Sequence, residues 1–323
     1  MNKEKILRIL DFLIPIVSVV VVSIAGIYLY RVNKEHNIAD EEYAVIEEVA
    51  GVTELPESME IEETNEDEET VDEYKQTFFN IHVNFDALNK INEDVIGWIY
   101  IPSIGLSYPV LHGEDNKYYL SHTMEGTLNS SGSIFMDAES DSDMLGFNTF
   151  FYGHAMKNGT MFGSLKEFLK HPETIDKNPY IYYFTKDHAY KYRIIATYIT
   201  HQGSNTYMIS ETKEQFYNYM QKVSKWNRYE NGLAPFELDE DYGNVDWDTL
   251  TMEDLEKIDE LLSFSNVYAL GNGENVEVDR IITLSTCSGN GTGDRKIVQA
   301  YLFDEYKIRV EQDTNYHNVT QIN

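Results

Sequence analysis

The chain has 323 residues and a formal net charge of −30 at pH 7, from 55 acidic residues against 25 Lys and Arg. This length accommodates one large domain or two small ones. The acidity excludes a nucleic-acid-binding protein, since such a surface needs a basic footprint to neutralise phosphates.

The first predicted element is a membrane-spanning helix. Phe12–Tyr30 are 19 consecutive uncharged, mostly apolar residues, close to the roughly 20 that a helix needs to cross a bilayer. Lys3 and Arg8 precede this run, and basic flanks stay on the cytoplasmic side. We therefore predict that residues 1–34 are a cytoplasmic tip and a single-pass signal anchor in the cell membrane, with the bulk of the chain extracellular. A cleaved signal peptide is the alternative, although its apolar run is usually only about 7–15 residues long.

An acidic segment follows the anchor. Residues 35–76 contain 17 Asp and Glu against one Lys, and few large apolar side chains. A segment of this composition buries no core, so we predict a disordered stalk that holds the rest of the chain off the membrane. The folded domain is predicted at 77–312, followed by a C-terminal tail at 313–323. Within the domain, an acidic insertion is predicted at about 228–278, part of it an amphipathic helix.

Short strand patterns dominate the folded region. Runs rich in β-branched and aromatic residues, bounded by turn-forming residues, are typical of strands. They lie at Val95–Ile101, Ser133–Met136, Thr149–Tyr152, Tyr180–Thr185, Tyr190–Thr200, Arg280–Thr286 and Ile297–Phe303. Helical patterns lie at Thr160–Leu169 and Thr212–Val223. Many short strands with few helices between them predict a mainly β fold that closes into a barrel with added helices.

The single cysteine of the chain is a candidate nucleophile. Cys287 ends the predicted strand Arg280–Thr286 and opens a Gly-rich loop. Exported proteins pair their cysteines or lack them, so an unpaired thiol calls for an explanation. If the next strand returns as an antiparallel hairpin, Arg295 lies beside Cys287, where a guanidinium favours the thiolate and can hold a developing oxyanion. A buried structural cysteine with a surface arginine is the alternative.

A cysteine nucleophile usually works with a histidine. Among the nine histidines, His154 is distinguished because an aromatic strand pattern ends just before it, at Tyr152. Its imidazole is therefore predicted to lie at a strand end, as the thiol does. A structural histidine is the alternative.

Two other patterns are assigned no ligand. Gly289–Gly293 resembles a phosphate-binding loop, but it lacks the Lys-Ser/Thr pair and leads into a strand. Asp137–Asp143 alternates acids as some Ca²⁺ loops do, but lacks the glycine and terminal glutamate of an EF-hand. No spacing matches a zinc site. We therefore expect no metal and no organic cofactor.

Several blocks of the chain, in order, resemble class B sortases, the cysteine transpeptidases of Gram-positive bacteria. The resemblance runs from about Phe85 to Val310. It rests on DALNKINEDVIGWIYIPSIGLSYPVLHGEDNKYYL, GSIFMDAES, NTFFYGHAMKNGTMFGSLKEF and RIITLSTC with an arginine downstream. It implies a sortase-type eight-stranded β-barrel with added helices, preceded by a transmembrane helix. It places the catalytic residues of the family on Cys287, His154 and Arg295, and Thr286 is a candidate substrate-binding residue beside the nucleophile.

The resemblance also implies a reaction, that of a thiol-dependent hydrolase of peptide bonds that transfers the acyl group. Cys287 would cleave a C-terminal sorting motif after its Thr, with Arg295 at the oxyanion and His154 as general acid and base. The implied partners are a surface protein that bears the motif and an amine of the cell wall. A pilus polymerase that uses a protein Lys as acceptor, and a catalytically dead tethered interaction module, are the alternatives.

Overall fold

Strands outnumber helices in the described part of the chain. The computed structural model describes residues 3–54, 81–171, 173–226, 268–269, 275–276, 278–287, 293–310 and 317–321. The helices are α1 (Lys3–Ala50), α2 (Phe85–Ile91), α3 (Lys166–Lys170), α4 (Glu173–Lys177) and α5 (Lys213–Trp226). The strands are β1 (Thr53–Glu54), β2 (Ile81–His82), β3 (Val95–Ile101), β4 (Leu106–Leu111), β5 (Phe135–Met136), β6 (Asn148–Tyr152), β7 (Tyr180–Phe184), β8 (His188–His201), β9 (Tyr268–Ala269), β10 (Asn275–Val276), β11 (Ile281–Cys287), β12 (Asp294–Val310) and β13 (His317–Gln321).

Eight of these strands close into a barrel. Neighbours pair in the order β11–β6–β5–β4–β3–β7–β8–β12, and β12 returns to pair with β11. The β11–β6 and β4–β5 pairs are parallel, and the other pairs of the barrel are antiparallel. Closure removes the sheet edges that would otherwise be open to further pairing. The mainly β fold with an eight-stranded barrel is therefore confirmed.

Large side chains fill the barrel. Trp98, Phe151, Tyr183 and Leu284 come from four different strands and are fully buried. The rings of Phe151 and Tyr183 lie 5.2 Å apart between centroids. A side chain at Gly97 would collide with the Tyr183 ring, so this glycine lets the ring pack directly against the backbone of β3.

Most predicted strands are confirmed to within two residues, but six strands lie outside the prediction: β1, β2, β4, β9, β10 and β13. β4 was missed because its run contains Pro109, and a proline argues against a strand. β13 forms antiparallel pairs with β12 inside the segment predicted as a C-terminal tail, so the boundary at 312 was wrong. Most of the predicted insertion at 228–278, including its amphipathic helix, lies outside the described residues.

The predicted disorder of the stalk was wrong for residues 35–54. Here α1 continues to Ala50 and β1 follows. The residues that α1 buries follow helical spacing and share one face: Ala39, Tyr43, Ile46 and Ala50. Three of them join the core, where Phe85 and Leu88 of α2 also lie. The charge of the segment lies on the other faces of the helix, so the average composition concealed an apolar stripe. The remainder of the predicted stalk lies outside the described residues.

The first part of α1 has a different character. Its large apolar side chains from Leu13 to Tyr30 are 48–70% exposed. By length and composition this helix is able to cross a membrane. The exposed apolar surface supports the predicted anchor, because such a surface is stable in lipid and unfavourable in water.

Ile46→Ala is expected to lower the free energy of unfolding by about 2–5 kcal/mol, because it removes buried methyl groups and leaves a cavity. Val45, the preceding residue, is 55% exposed, so Val45→Ala should change the stability by less than about 0.5 kcal/mol. Denaturant unfolding of the full chain in detergent, followed by tryptophan fluorescence, measures both. Equal losses would contradict the packing of α1 on the barrel.

Candidate active site

Two parallel strands end at the same edge of the barrel. β6 and β11 run side by side, with Tyr152 opposite Ser285. The chain extends two residues beyond each of these positions, to His154 after β6 and to Cys287 at the end of β11. Because parallel strands have their carboxyl ends at one edge, the predicted histidine and cysteine are brought to the same place.

The predicted hairpin brings the arginine to this edge. β11 and β12 pair antiparallel from Ile281 opposite Tyr301 to Cys287 opposite Arg295. On its other side Arg295 is paired with Thr200 of β8. The backbone position of Arg295 is thus fixed by a neighbouring strand on each side, directly across from the candidate nucleophile.

A groove of about 560 Å³ lies along this edge, and His154, Thr286 and Arg295 line it. Other polar side chains in its wall come from separate parts of the chain: Asn116, Asp137, Tyr152, Gln202 and Tyr207. Sites for organic ligands usually measure about 300–1,000 Å³. The groove is therefore large enough for a few residues of a peptide.

His154 is oriented by a backbone carbonyl. Its Nε2 lies 2.7 Å from the carbonyl oxygen of Leu120. Because a carbonyl only accepts hydrogen bonds, Nε2 carries a proton and donates it. Nδ1 is then the ring nitrogen that can exchange a proton with a reactant. The bond fixes the tautomer and the ring plane, a task that a carboxylate performs in many nucleophilic enzymes.

The guanidinium of Arg295 is held at three points. Its Nη1 donates to the carbonyls of Gly293 and Asp294 at 3.0 and 3.1 Å. Its Nη2 donates to Oε1 of Gln202 at 2.9 Å. A guanidinium has five N–H donors, so two of them have no partner among the described residues. Arg295 is thus pre-positioned with donors available for a substrate oxygen.

Thr286 lines the groove, but its hydroxyl is buried. The residue is 2% exposed, and Oγ1 has no hydrogen-bond partner in the described part of the chain. A buried polar group without a partner costs about 1–3 kcal/mol. Because Oγ1 is covered, a ligand would reach it only after a rearrangement, and substrate contact by Thr286 stays a prediction.

One wall of the groove is acidic. Asp137 Oδ2 accepts hydrogen bonds from the Tyr152 hydroxyl at 2.8 Å and from Asn116 Nδ2 at 2.9 Å. Burial, and then the nearby Asp137 carboxylate, raise the pKa of Tyr152, so its hydroxyl stays neutral and donates. Glu139 and Asp141 also line the groove. This wall therefore carries negative charge, while Arg295 carries positive charge.

The turn at Asn205–Tyr207 is connected to β11. The hydroxyl of Tyr207 lies 2.7 Å from Oγ of Ser285, and its ring stacks on Phe150 with centroids 5.9 Å apart. Because Ser285 lies two residues before Cys287, this contact fixes the wall of the groove relative to the strand that carries the candidate nucleophile.

The acidic loop before β6 is shaped by its own backbone. Asp137 Oδ1 accepts the backbone N–H of Glu139, and Asp143 Oδ1 accepts that of Leu145, both at 2.9 Å. These bonds are typical of Asx turns. Within the described residues, no group of three or more His, Cys, Asp and Glu side chains is arranged to hold a metal ion.

Three contributors to the site lie outside the prediction: the Leu120 carbonyl, Gln202 and Tyr207. Gln202 follows directly after β8, at a strand end, so the criterion that identified His154 would have found it. The Leu120 carbonyl is a backbone group, and no side-chain pattern marks its role. Tyr207 lies in a turn whose position depends on tertiary packing.

Comparison with known sequences gives the family. The sortase domain model matches residues 99–231. Sortase B of Listeria monocytogenes is 34% identical over 148 residues, which cover 45% of this chain and 59% of that protein. Sortase B of Staphylococcus aureus is 32% identical over 209 residues, which cover 64% of this chain and 69% of that protein.

Solved structures agree on the fold. The crystal structure of sortase B from Bacillus anthracis has a TM-score of 0.55 and 23% identity, and the match covers 84% of this chain and 99% of that one. Sortase B of Clostridium perfringens has a TM-score of 0.50 and 24% identity, covering 68% of this chain and 100% of that one. At this identity the likeness establishes the architecture of the barrel.

Thr286→Val is expected to leave the free energy of unfolding unchanged or to raise it by up to about 1 kcal/mol, because it removes an unpaired buried hydroxyl. Thr283, on the same strand and fully buried, is the matched control. Its Oγ1 donates to Asn148 and accepts from Gln299 at 2.8 and 3.0 Å. Thr283→Val should therefore destabilise the chain by about 1–3 kcal/mol. Denaturant melts compare the two, and a comparable loss in both would show that Oγ1 of Thr286 has a structural partner.

Proposed function

Because this chain belongs to the sortase family, and its curated relatives are class B sortases, we propose that it is a membrane-anchored transpeptidase. Members of this family are cysteine transpeptidases. The observation that carries the proposal is the convergence at one barrel edge. Cys287 lies opposite Arg295 in the hairpin, and His154 and Arg295 line the same groove.

The first half of the proposed reaction makes a thioester. The Cys287 thiolate attacks the carbonyl carbon of a Thr in a C-terminal sorting motif, and a C–S bond forms as negative charge moves onto the oxygen. The open N–H donors of Arg295 stabilise that oxyanion. The C–N bond then breaks, and His154, as imidazolium, gives its Nδ1 proton to the leaving amine.

The second half transfers the protein to an amine. The acceptor amine attacks the thioester carbon, and neutral His154 takes a proton from the amine through Nδ1. The C–S bond breaks, a new amide forms, and Cys287 returns as the thiolate. The two steps use the same groups with reversed proton transfer, so the chemistry requires no metal or organic cofactor.

The proposed acceptor is an amine of the cell wall. A pilus polymerase with a protein Lys as acceptor is the second candidate, because the acidic groove wall formed by Asp137, Glu139 and Asp141 attracts either kind of ammonium group. The exposed apolar half of α1 supports a single-pass anchor with a cytoplasmic N-terminus and an extracellular barrel. The donor partner is then a surface protein that bears a sorting motif.

A catalytically dead interaction module is the remaining alternative, and the geometry disfavours it. A domain without chemistry has no need for N–H donors on Arg295 that lack a partner among the described residues. Arg295 lines the groove, where these donors are useful to a reacting peptide.

Cys287→Ala is expected to abolish cleavage of peptides with LPxTG-like or NPxTN-like motifs, because no thioester can form. His154→Ala and Arg295→Ala should each lower kcat/KM by about a hundredfold or more, since each removes stabilisation of charge or a proton transfer. Liquid chromatography with mass spectrometry, with and without an amine acceptor, measures cleavage and transfer. Intact-mass analysis without acceptor should show the acyl group on the wild type and not on Cys287→Ala. Undiminished cleavage by Cys287→Ala would overturn the proposal.

Gln202→Ala is expected to lower kcat/KM by about five- to tenfold, because Arg295 loses one of its three fixed contacts and is less often in place. Gln202→Glu keeps an acceptor for Nη2 and should retain most of the activity. Asn89→Ala, which removes an exposed amide on α2 that does not line the groove, is the control. Melting temperatures should stay unchanged in all three. Full activity of Gln202→Ala would rule out a positioning role.

A further inference from the structure

We propose that residues Glu35–Ala50 of α1, here called the strut, rigidly hold the active site at one fixed height over the membrane. Substrates presented at the membrane surface are then selected by position as well as by sequence. The inference rests on the proposed anchoring of α1. The strut is then a fixed connection between anchor and barrel, in place of the flexible stalk predicted from the sequence.

The first support is the continuity of α1. One helix includes both the exposed apolar run that ends at Tyr30 and the strut that packs on the barrel. Within the described residues, no break separates the two parts. From Tyr30 to Asp40 the axis rises by about 15 Å at 1.5 Å per residue. The strut thus transmits the orientation of the anchor to the barrel over a short distance.

The second support is the contact of the strut with the segment 118–133. The Tyr43 hydroxyl donates to the carbonyl of Gly132 at 3.1 Å and lies 2.8 Å from Oγ of Ser133. Closer to the membrane end, Asn129 Nδ2 donates to the Glu35 carbonyl at 2.8 Å. The same segment contains Leu120, whose carbonyl orients His154. The strut therefore supports one of the two ends of the hydrogen bond that orients the histidine.

The third support is contact with the segment 155–161, which follows directly after His154. Asn158 Nδ2 donates to Asp40 Oδ2 at 3.0 Å. The Tyr43 ring packs edge-on against Tyr108 with centroids 5.4 Å apart, and the Tyr108 hydroxyl accepts the Met161 N–H at 3.2 Å. The strut therefore contacts both segments on which the position of His154 depends.

The apolar contacts explain why these polar ones persist. Ala39, Tyr43, Ile46 and Ala50 are 0–6% exposed and form one stripe along the strut. A rotation of the strut by half a turn would replace this stripe with the opposite face, which carries acids. The interface therefore holds the strut in a single setting on the barrel, and the continuous helix α1 carries that setting to the anchor.

Two insertions of eleven residues between Asn33 and Lys34 of the full chain in lipid vesicles test the proposal. Eleven alanines continue the helix, raise the barrel by about 16 Å and change its rotation by only about 20°. A Gly/Ser linker of the same number of residues interrupts the helix and lets the barrel return to the surface. The substrate probes are one cleavable sorting-motif peptide in solution and the same peptide joined through its C-terminus to a lipid of the vesicle.

Both insertion variants should cleave the soluble peptide at the wild-type rate, because the strut remains packed. On the lipid-joined peptide, the eleven-alanine variant should lose tenfold or more, and the Gly/Ser variant less than threefold. Hydrogen exchange of the amides of residues 43–50 should be equally slow in all three proteins. An eleven-alanine variant with wild-type activity on the lipid-joined peptide would overturn the proposal. Failure of the wild type on the soluble peptide would instead overturn the proposed function.

Discussion

The site depends on one pairing constraint, the parallel register of β6 and β11. With Tyr152 opposite Ser285, the residues that follow each strand reach the same edge together. A slip of one residue would turn every side chain of one strand to the other face, so the register is specified as strongly as the core itself. Phe151 and Leu284, both fully buried, are register partners and fix it. The antiparallel return of β12 then adds Arg295, so the packing of the barrel defines the site.

The contact of His154 with a carbonyl has a chemical consequence. A carboxylate partner would titrate and would favour the charged imidazolium through its own charge. The Leu120 carbonyl does neither, because it is a neutral acceptor at every pH that the fold survives. The ring therefore keeps one orientation in both its neutral and its charged form. This suits a residue that donates a proton in one half-reaction and accepts one in the other.

Seven of the eight barrel strands, all but β4, and the three proposed catalytic residues could be predicted from local sequence, because strand alternation and strand-end positions are local properties. Gln202 could have been found in the same way. The Leu120 carbonyl and the buried, unpaired hydroxyl of Thr286 could not, since both depend on what packs around them. The strut was mispredicted for a different reason. Its composition is acidic on average, while its apolar residues, from Ala39 to Ala50, recur at helical spacing.

The acidity of the strut and its packing are compatible because of how helix formation is initiated. Nucleating a helix in water is unfavourable, and a short helix of repelling acids would form poorly alone. A helix that already spans a bilayer is fully hydrogen-bonded there, since lipid offers no alternative partners for the backbone. In the proposed anchored state the strut extends that helix and needs no nucleus of its own. The packing of the stripe that contains Tyr43 and Ile46 then has to offset only the entropy of extending the helix and the repulsion between its acids. The proposed anchor would thus contribute to the order of the site as well as to its location, and removal of residues 1–34 would weaken the support of His154 even with the barrel intact.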